Sequence, residues 1–251
     1  MTEIAFRDEL EVFRKEEEVA QQYFFAWLQI RTELTADEKL LDRLNDTPLF
    51  WITAHHALLL AAFVALGRVF DQRSSHNVNA LLRMASKNKA IFTKDALRVR
   101  KIGEGVTPAF AAEYVVDKYE ASDIDFRDLR REVAKRRRVY EERFRDVRDK
   151  IFAHKELADS DEMNALLERA TIDELKSLFG FLHALHEALW QLLVNGRRPI
   201  LRLPDLKLPT RPRKLSHGDT PGEIVARDVA TFFDGLMAPD RQGQTAIDSV
   251  R

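Results

Sequence analysis

Apolar residues recur every three or four positions over most of the chain, which is the spacing of one face of an α-helix. In the longest such stretch, which begins at Asp123, apolar residues run from Phe126 to Ile151 and are interrupted at Arg136 and Arg137. We expect one long amphipathic helix there, about 50 Å long at 1.5 Å per residue. No run alternates apolar and polar residues over more than a few positions. The pattern therefore predicts an all-α fold.

Capping residues mark where the predicted helices begin. Threonine precedes proline at positions 47, 107 and 220, which places a capping hydroxyl before a residue that needs no N–H partner in the first helical turn. Capping-box spacing occurs in three pairs: Thr35 with Glu38, Thr171 with Glu174, and Thr220 with Glu223. We predict helices at residues 3–33, 35–45, 48–72, 76–87, 94–101, 108–120, 123–157, 160–169, 172–195 and 221–237.

The stretch from Thr47 to Gly67 contains 21 residues without a formal charge. Its length could span a bilayer. However, His55 and His56 lie at its middle, where lipid penalises two imidazoles, and Arg68 continues the same helix. We expect a buried helix at the centre of a bundle, and no membrane partner.

The composition changes after Gly196, where prolines and basic residues replace the amphipathic pattern. Residues 197–215 contain seven basic residues and one acid. Proline is excluded from helix interiors, so the leucines of this stretch predict an extended strap that lies on the bundle. We expect four segments: a helical bundle at 1–196, a Pro/Arg-rich extended strap at 197–219, a C-terminal helix packed on the bundle at 220–238, and a flexible tail at 239–251.

The total charge is nearly zero, with 40 basic and 41 acidic residues, but the charge is segregated along the chain. Residues 1–46 carry 12 acids and six bases, whereas residues 127–150 carry 11 bases and six acids. A helix this basic could neutralise phosphates. The simpler interpretation is a solvated face with i,i+4 ion pairs, namely Glu132 with Arg136 and Glu141 with Arg145.

The composition also excludes several kinds of site. The chain has no cysteine, so it has no disulfide framework, thiolate zinc site or thiol nucleophile. His183 and His186 lie three residues apart with Glu187 beside them, a spacing that can hold a metal, but an ordinary bundle explains them more simply. We predict no metal and no cofactor. Acids appear early in the N-terminal sequence, which lacks a signal-peptide pattern, so we expect a cytoplasmic protein.

The end of the basic helix reads RDKIFAHKE, in which Arg148 is followed directly by Asp149 and, after five intervening residues, by His154. This motif, together with the segments ALGRVFDQ and HNVNALLRM, resembles the HEPN superfamily in its abortive-infection, AbiU-like branch. The resemblance covers about residues 20–195. It implies an HEPN-like helical bundle, here with extra N-terminal and C-terminal helices.

The resemblance also implies an activity, which is metal-independent RNA cleavage by an endoribonuclease of a toxin–antitoxin or antiphage defence system. His154 would be the general acid–base, Arg148 would stabilise the phosphate, and Asp149 would orient one of them. The residues expected to hold the RNA backbone are Lys150, Lys155, Arg145 and Arg68.

The motif has a geometric consequence, because six residues of an ideal helix leave Arg148 and His154 about 120° apart. Either the helix loosens near Phe152, or the site forms where two subunits meet. The resemblance implies the second arrangement, a homodimer through the motif-bearing helices, and also a possible antitoxin partner. The alternatives are a non-catalytic RNA- or nucleotide-binding HEPN module and a purely structural interaction protein, in which His154 is a core or interface histidine.

Overall fold

The computed structural model describes residues 2–145, 171–208 and 218–238. These residues form nine α-helices and one 3₁₀-helix and include no β-strand, which confirms the predicted all-α class. The α-helices are α1 Glu3–Ala36, α2 Glu38–Leu44, α3 Pro48–Phe70, α4 Val78–Lys87, α5 Lys94–Gly103, α6 Pro108–Tyr114, α7 Asp123–Arg143, α8 Ile172–Asn195 and α9 Pro221–Met237; the 3₁₀-helix is Lys89–Phe92.

Two of the three predicted capping boxes are confirmed, at the starts of α8 and α9. In each, the hydroxyl of Thr171 or Thr220 accepts the N–H of the glutamate three residues later, and that carboxylate accepts the threonine N–H. The box predicted at Thr35 is wrong, because α1 continues through it and its hydroxyl donates to carbonyl groups one turn earlier. Asp37 caps α2 and accepts the N–H of Lys39 at 2.9 Å.

The predicted ends of some helices coincide with the observed ends, and those of others do not. The prediction 172–195 coincides with α8, and 221–237 coincides with α9. Helix α6 ends at Tyr114, earlier than predicted, and the chain beyond it forms another contact, in which the Tyr119 N–H donates to the Gly196 carbonyl at 2.8 Å. The predicted helix 160–169, the predicted continuation of α7 to residue 157 and the tail 239–251 lie outside the described residues.

The described residues fall into two compact units, and the first comprises those within Met1–Gln21 and Leu60–Leu206. Aromatic rings connect its helices: Phe92 of the 3₁₀-helix lies 5.3 Å from Phe6 of α1 and 5.5 Å from Phe126 of α7. Helix α4 packs against α7. The largest buried side chains of this core are Phe6, Leu10, Phe63, Phe70, Phe126, Tyr140, Phe144, Phe179 and Phe181.

The second unit comprises the described residues within Gln22–Leu59 and Lys207–Arg251. Its core brings Ile30 together with Leu40, Leu44 and Phe233, and Trp51 packs against this cluster from α3. At the start of α9, a Cβ atom on Gly222 would overlap the buried ring of Phe25. The close approach of α9 to this part of α1 therefore requires glycine at that position.

Helix α3 corrects the expectation of a buried helix. Its second half, from Ala62, is mostly buried, but in its first half Leu49 and Phe50 are 79% and 64% exposed. By length and composition α3 could cross a membrane, as could the core helices of many soluble proteins. Of its most apolar 18 residues, 22% are buried. Trp51 and Leu58 pack on the core of the second unit, while the opposite side of residues 48–61 faces water. We refer to residues 48–61 as the exposed α3 segment.

Candidate active site

The predicted motif residues, which are Arg148, Asp149, Lys150, His154 and Lys155, lie outside the described residues. The structure does describe Arg145 and Arg68, the other two residues predicted to bind RNA. It also describes α7, which leads toward the motif, and the ALGRVFDQ segment at the end of α3. The candidate site is therefore described on these elements.

The end of α3 packs on the end of α7 through two pairs of aromatic rings. Phe70 stacks on Tyr140 with ring centroids 5.3 Å apart and planes at 19°, and Phe63 lies 6.1 Å from Phe144. All four side chains are buried. Because Phe70 belongs to ALGRVFDQ, this packing places the segment that carries part of the family resemblance beside the helix that leads to Arg148.

A cleft of about 290 Å³ lies at this junction. Its lining includes Phe70 and the turn at residues 71–73 on one side, and Tyr140, Glu141 and Arg145 of the α7 end on the other. We refer to it as the α7-end cleft. The lining contains two arginines and two carboxylates within a partly apolar surface, so guanidinium groups are available beside fixed acceptors.

Arg68 has a different environment from Arg145. Its side chain is 60% exposed and its Nη1 lies 3.4 Å from the Glu16 carboxylate of α1, whereas Arg145 lines the α7-end cleft. An exposed ion pair of this kind contributes little stability, so the Arg68 side chain can leave Glu16 at small cost. The structure brings Arg145 to the cleft and does not place Arg68 in its lining.

Arg73 is a residue that the sequence analysis missed. It follows ALGRVFDQ directly and lines the α7-end cleft opposite Arg145. Its N–H donates to the Asp71 carboxylate at 3.0 Å, which holds the turn after α3. Only the packing of α3 on α7 brings these arginines together, since 72 residues separate them in the sequence. A basic residue directly after the resembling segment was the one available signal.

Helix α7 presents a row of exposed basic side chains, as its composition predicts. The ion pairs differ from those expected: Glu132 pairs with Lys135 at 2.7 Å and Glu141 with Arg137 at 3.5 Å. Arg136 points to α8 and donates to the Ser177 hydroxyl at 2.8 Å, which explains why it interrupts the apolar stripe. The exposed cations of α7 are Arg127, Arg130, Arg131, Lys135, Arg138 and Arg143.

A buried carboxylate that the sequence analysis also missed joins α1 to α8. The Glu17 side chain is 1% exposed, and it accepts hydrogen bonds from Gln21 and from Nδ1 of His183, the latter at 3.2 Å. The bond to Glu17 raises the pKa of His183 above its ordinary value. This histidine is therefore the charge partner that compensates for the burial of Glu17.

His186, one turn later on α8, has the opposite environment. It is 8% exposed and stacks on Trp190, and burial lowers the pKa of its imidazole from 6.5 to about 4. The two histidines that could have shared a metal are thus engaged separately, one by a carboxylate and one by an aromatic ring. Among the described residues, no group of three His, Cys, Asp or Glu side chains is placed to hold a metal ion.

We expect His186 to make the fold sensitive to acid. Its imidazole stays neutral when folded down to about pH 4 but takes a proton near pH 6.5 when unfolded, so its contribution is present above pH 6.5 and lost as the pH falls. The full loss is about 3 kcal/mol. Urea unfolding at pH 7 and pH 4 measures how much stability each protein loses in acid. The loss in His186→Leu should be smaller than the loss in the parent protein by about this amount.

The parent protein, unfolded in urea at the same two pH values, is the reference for this comparison. His183 acts in the opposite direction, because a raised pKa adds stability below pH 6.5 that is lost as the pH rises. Equal acid sensitivity of His186→Leu and the parent protein would contradict the assignment.

Comparison with protein families matches the chain to a known family. The family model HEPN_AbiU2, described as AbiU2, covers residues 3–205 and therefore spans α1 to α8, the α7-end cleft and the Arg148–His154 motif. Curated proteins and solved structures gave no match. The matched region is 203 of the 251 residues, and the chain belongs to the HEPN_AbiU2 family.

Proposed function

We propose that the protein is a metal-independent endoribonuclease that acts in the cytoplasm in a toxin–antitoxin or antiphage defence system. The observation that carries the proposal is the position of Arg148 and His154 inside the region that the HEPN family model matches. The family supports an HEPN-type module, and its name connects that module with abortive infection.

In the proposed reaction, the 2′-oxygen of a ribose attacks the adjacent phosphorus while the bond from phosphorus to the 5′-oxygen breaks. The 2′-hydroxyl loses its proton and the leaving 5′-oxygen gains one, which gives a 2′,3′-cyclic phosphate and a free 5′-hydroxyl. His154 exchanges these protons, because imidazole titrates near neutral pH. Arg148 stabilises the charge that develops on the phosphate oxygens, and Asp149 orients one of the two.

The RNA backbone would be held by cations on both sides of the motif. Lys150 lies inside the motif and Lys155 directly follows it, while Arg145 precedes it and lines the α7-end cleft with Arg73 across from it. The exposed row of basic residues on α7 adds further cations along the same helix. Arg68, whose ion pair with Glu16 in the described part of the chain is exposed, would turn toward the same substrate.

We further propose a homodimer through the motif-bearing helices, since an ideal helix does not bring Arg148 and His154 to one face. In that arrangement, the arginine of one subunit serves the histidine of the other. An antitoxin protein is the expected partner that restrains the activity.

The test is cleavage of a structured RNA in the presence of a chelator. We expect the purified protein to cut the RNA in excess EDTA, and the products to carry 2′,3′-cyclic phosphate and 5′-hydroxyl ends. A His154→Ala protein prepared in parallel measures contaminating nuclease. Binding without cleavage would overturn the enzyme and favour the non-catalytic RNA-binding module, as would cleavage that requires a divalent cation.

A further inference from the structure

A second cleft in the first unit lies along the second half of α8, and the proposed nuclease uses none of its residues. It has a volume of about 590 Å³ and is bounded by α8, by the turn at residues 117–119, and by the chain from 196 to 204. We refer to it as the strap groove. All of its lining residues lie within the region matched by the family model.

Two close backbone approaches lie at the strap groove, one at Gly196 and one at Gly180. At the first, Gly196 ends α8 in the left-handed conformation, with φ of 58°, and its carbonyl accepts the Tyr119 N–H at 2.8 Å. A Cβ atom there would lie 2.9 Å from Cβ of Lys118, so glycine is required on two counts. At the second, the Pro204 carbonyl passes 3.5 Å from the Cβ position of Gly180.

The lining carries an excess of positive charge. Arg197, Arg198 and Arg202 line it from the strap and Lys118 from the turn, against the two carboxylates of Asp117 and Glu187. Arg198 is partly engaged, since its Nε lies 4.0 Å from Asp125. Among the described residues, Arg197 and Arg202 have no carboxylate within ion-pair distance. Two exposed guanidinium groups are therefore available to a ligand.

The floor of the groove adds a histidine backed by the buried carboxylate. His183 lines the groove and is 30% exposed, while its Nδ1 is bonded to Glu17 behind it. A carboxylate accepts hydrogen bonds and does not donate them, so Nδ1 carries a hydrogen and Nε2 is left for the groove. When the ring is protonated, Nε2 becomes a further donor on the same surface as the arginines.

The remaining floor is apolar. Ala184 and Ala188 of α8 lie beside Ile200 of the strap, which is 54% exposed. Ligand pockets typically combine such a surface with a few convergent polar groups and have volumes of roughly 300 to 1,000 Å³. The strap groove has both properties and is large enough for a ligand with a body beyond its charged group.

We propose that the strap groove binds a phosphate monoester carried on a body of about nucleotide size. A monoester carries up to two negative charges, which matches the net excess of cations, and guanidinium forks bind phosphate oxygens in pairs. The groove lies between α8 and the strap, and its volume of about 590 Å³ suits a small ligand or a chain terminus. The same group is present in a free mononucleotide and at the 5′-phosphorylated end of an RNA.

Calorimetric titration of the full-length chain tests the proposal with adenosine 5′-monophosphate, adenosine and inorganic phosphate. We expect the monophosphate to bind, adenosine to bind at least about tenfold more weakly, and the double variant Arg197→Gln/Arg202→Gln to lose at least about tenfold in affinity. Both arginines are exposed, so this variant should fold, which circular dichroism verifies. The control Arg83→Gln removes an exposed cation outside the groove and should bind like the parent protein.

Two short RNAs that differ only in a 5′-phosphate or a 5′-hydroxyl distinguish a free mononucleotide from an RNA end as the ligand. Preference for the phosphorylated RNA assigns the groove to a chain end, and equal binding of the two, with the mononucleotide still bound, assigns it to a free nucleotide. Failure of the monophosphate to bind would overturn the proposal, as would inorganic phosphate that binds equally well or an equal loss in Arg83→Gln. RNA cleavage by the double variant should be unchanged on a 5′-hydroxyl substrate, so this test is independent of the proposed nuclease.

Discussion

Replacing His154 by alanine is expected to lower the rate of RNA cleavage by a factor of about 10² to 10⁴. The change removes the group that exchanges protons with the 2′-hydroxyl and the leaving 5′-oxygen, and no other histidine lies within 20 residues of it in the sequence. RNA affinity should change little, because the cations that hold the backbone remain. Single-turnover cleavage with saturating protein measures the chemical step apart from binding.

The matched control is His56→Ala, which makes the same substitution at an exposed histidine of α3. It should cleave at the parental rate. Cleavage by His154→Ala within a factor of about three of the parent protein would remove His154 from the reaction. Equal losses in both variants would indicate that the assay reports stability and not chemistry.

Replacing Phe144 by alanine is expected to lower the free energy of unfolding by about 3 to 5 kcal/mol. The ring is fully buried and packs on Phe63, and α7 ends immediately before it. Its removal leaves a cavity between α3 and α7 that close-packed neighbours fill only partly. Since domains are stable by about 5 to 15 kcal/mol, a shift of this size should be plain in the urea midpoint.

Two further variants define what the Phe144 result means. Phe144→Leu keeps most of the buried volume and should cost less than about 1.5 kcal/mol. Phe110→Ala removes a ring that is 58% exposed, and it should change stability by about 0.5 kcal/mol at most. A loss in Phe144→Ala no larger than that in Phe110→Ala would contradict the packing of α7 on α3.

Helices with strong local signals could be predicted closely from the sequence. Helix α8 begins at the capping box of Thr171 and ends at Gly196, so both of its boundaries follow from short-range hydrogen bonds and backbone geometry. The chain after α6 makes a bond of another kind, between Tyr119 and Gly196, which joins residues 77 positions apart. Such a contact leaves no local pattern in the sequence.

The degree of burial of α3 illustrates a second limit. A helix without charges has no polar face to mark its exposed side, so the pattern could not show that Leu49 faces water while Phe63 is buried. The exposed α3 segment follows from how few residues of the second unit pack on it.

The residues of the candidate site likewise fall into those that a local sequence pattern identified and those that depend on distant contacts. Arg148 and His154 were identified from a linear motif and a resemblance, and the structure does not describe them. Arg73 and Glu17 could not be identified, because each acquires its role from a residue distant in sequence: Arg145 across the α7-end cleft, and His183 of α8. The neighbours of Glu17 in the sequence do not distinguish it from the other acids of α1, and the one local signal for Arg73 was its position directly after ALGRVFDQ.

The exposed α3 segment bears on the choice of solution conditions. Apolar surfaces associate more strongly in sulfate and similar excluded salts. The segment carries no formal charge, so lowering the ionic strength does not create charge repulsion between two copies of it. Contacts of arginine and lysine with phosphate weaken as salt rises. Ionic strength therefore affects the two kinds of surface in opposite directions, and self-association that grows with added sulfate indicates contacts between exposed apolar surfaces such as this segment, not nucleic acid carried through purification.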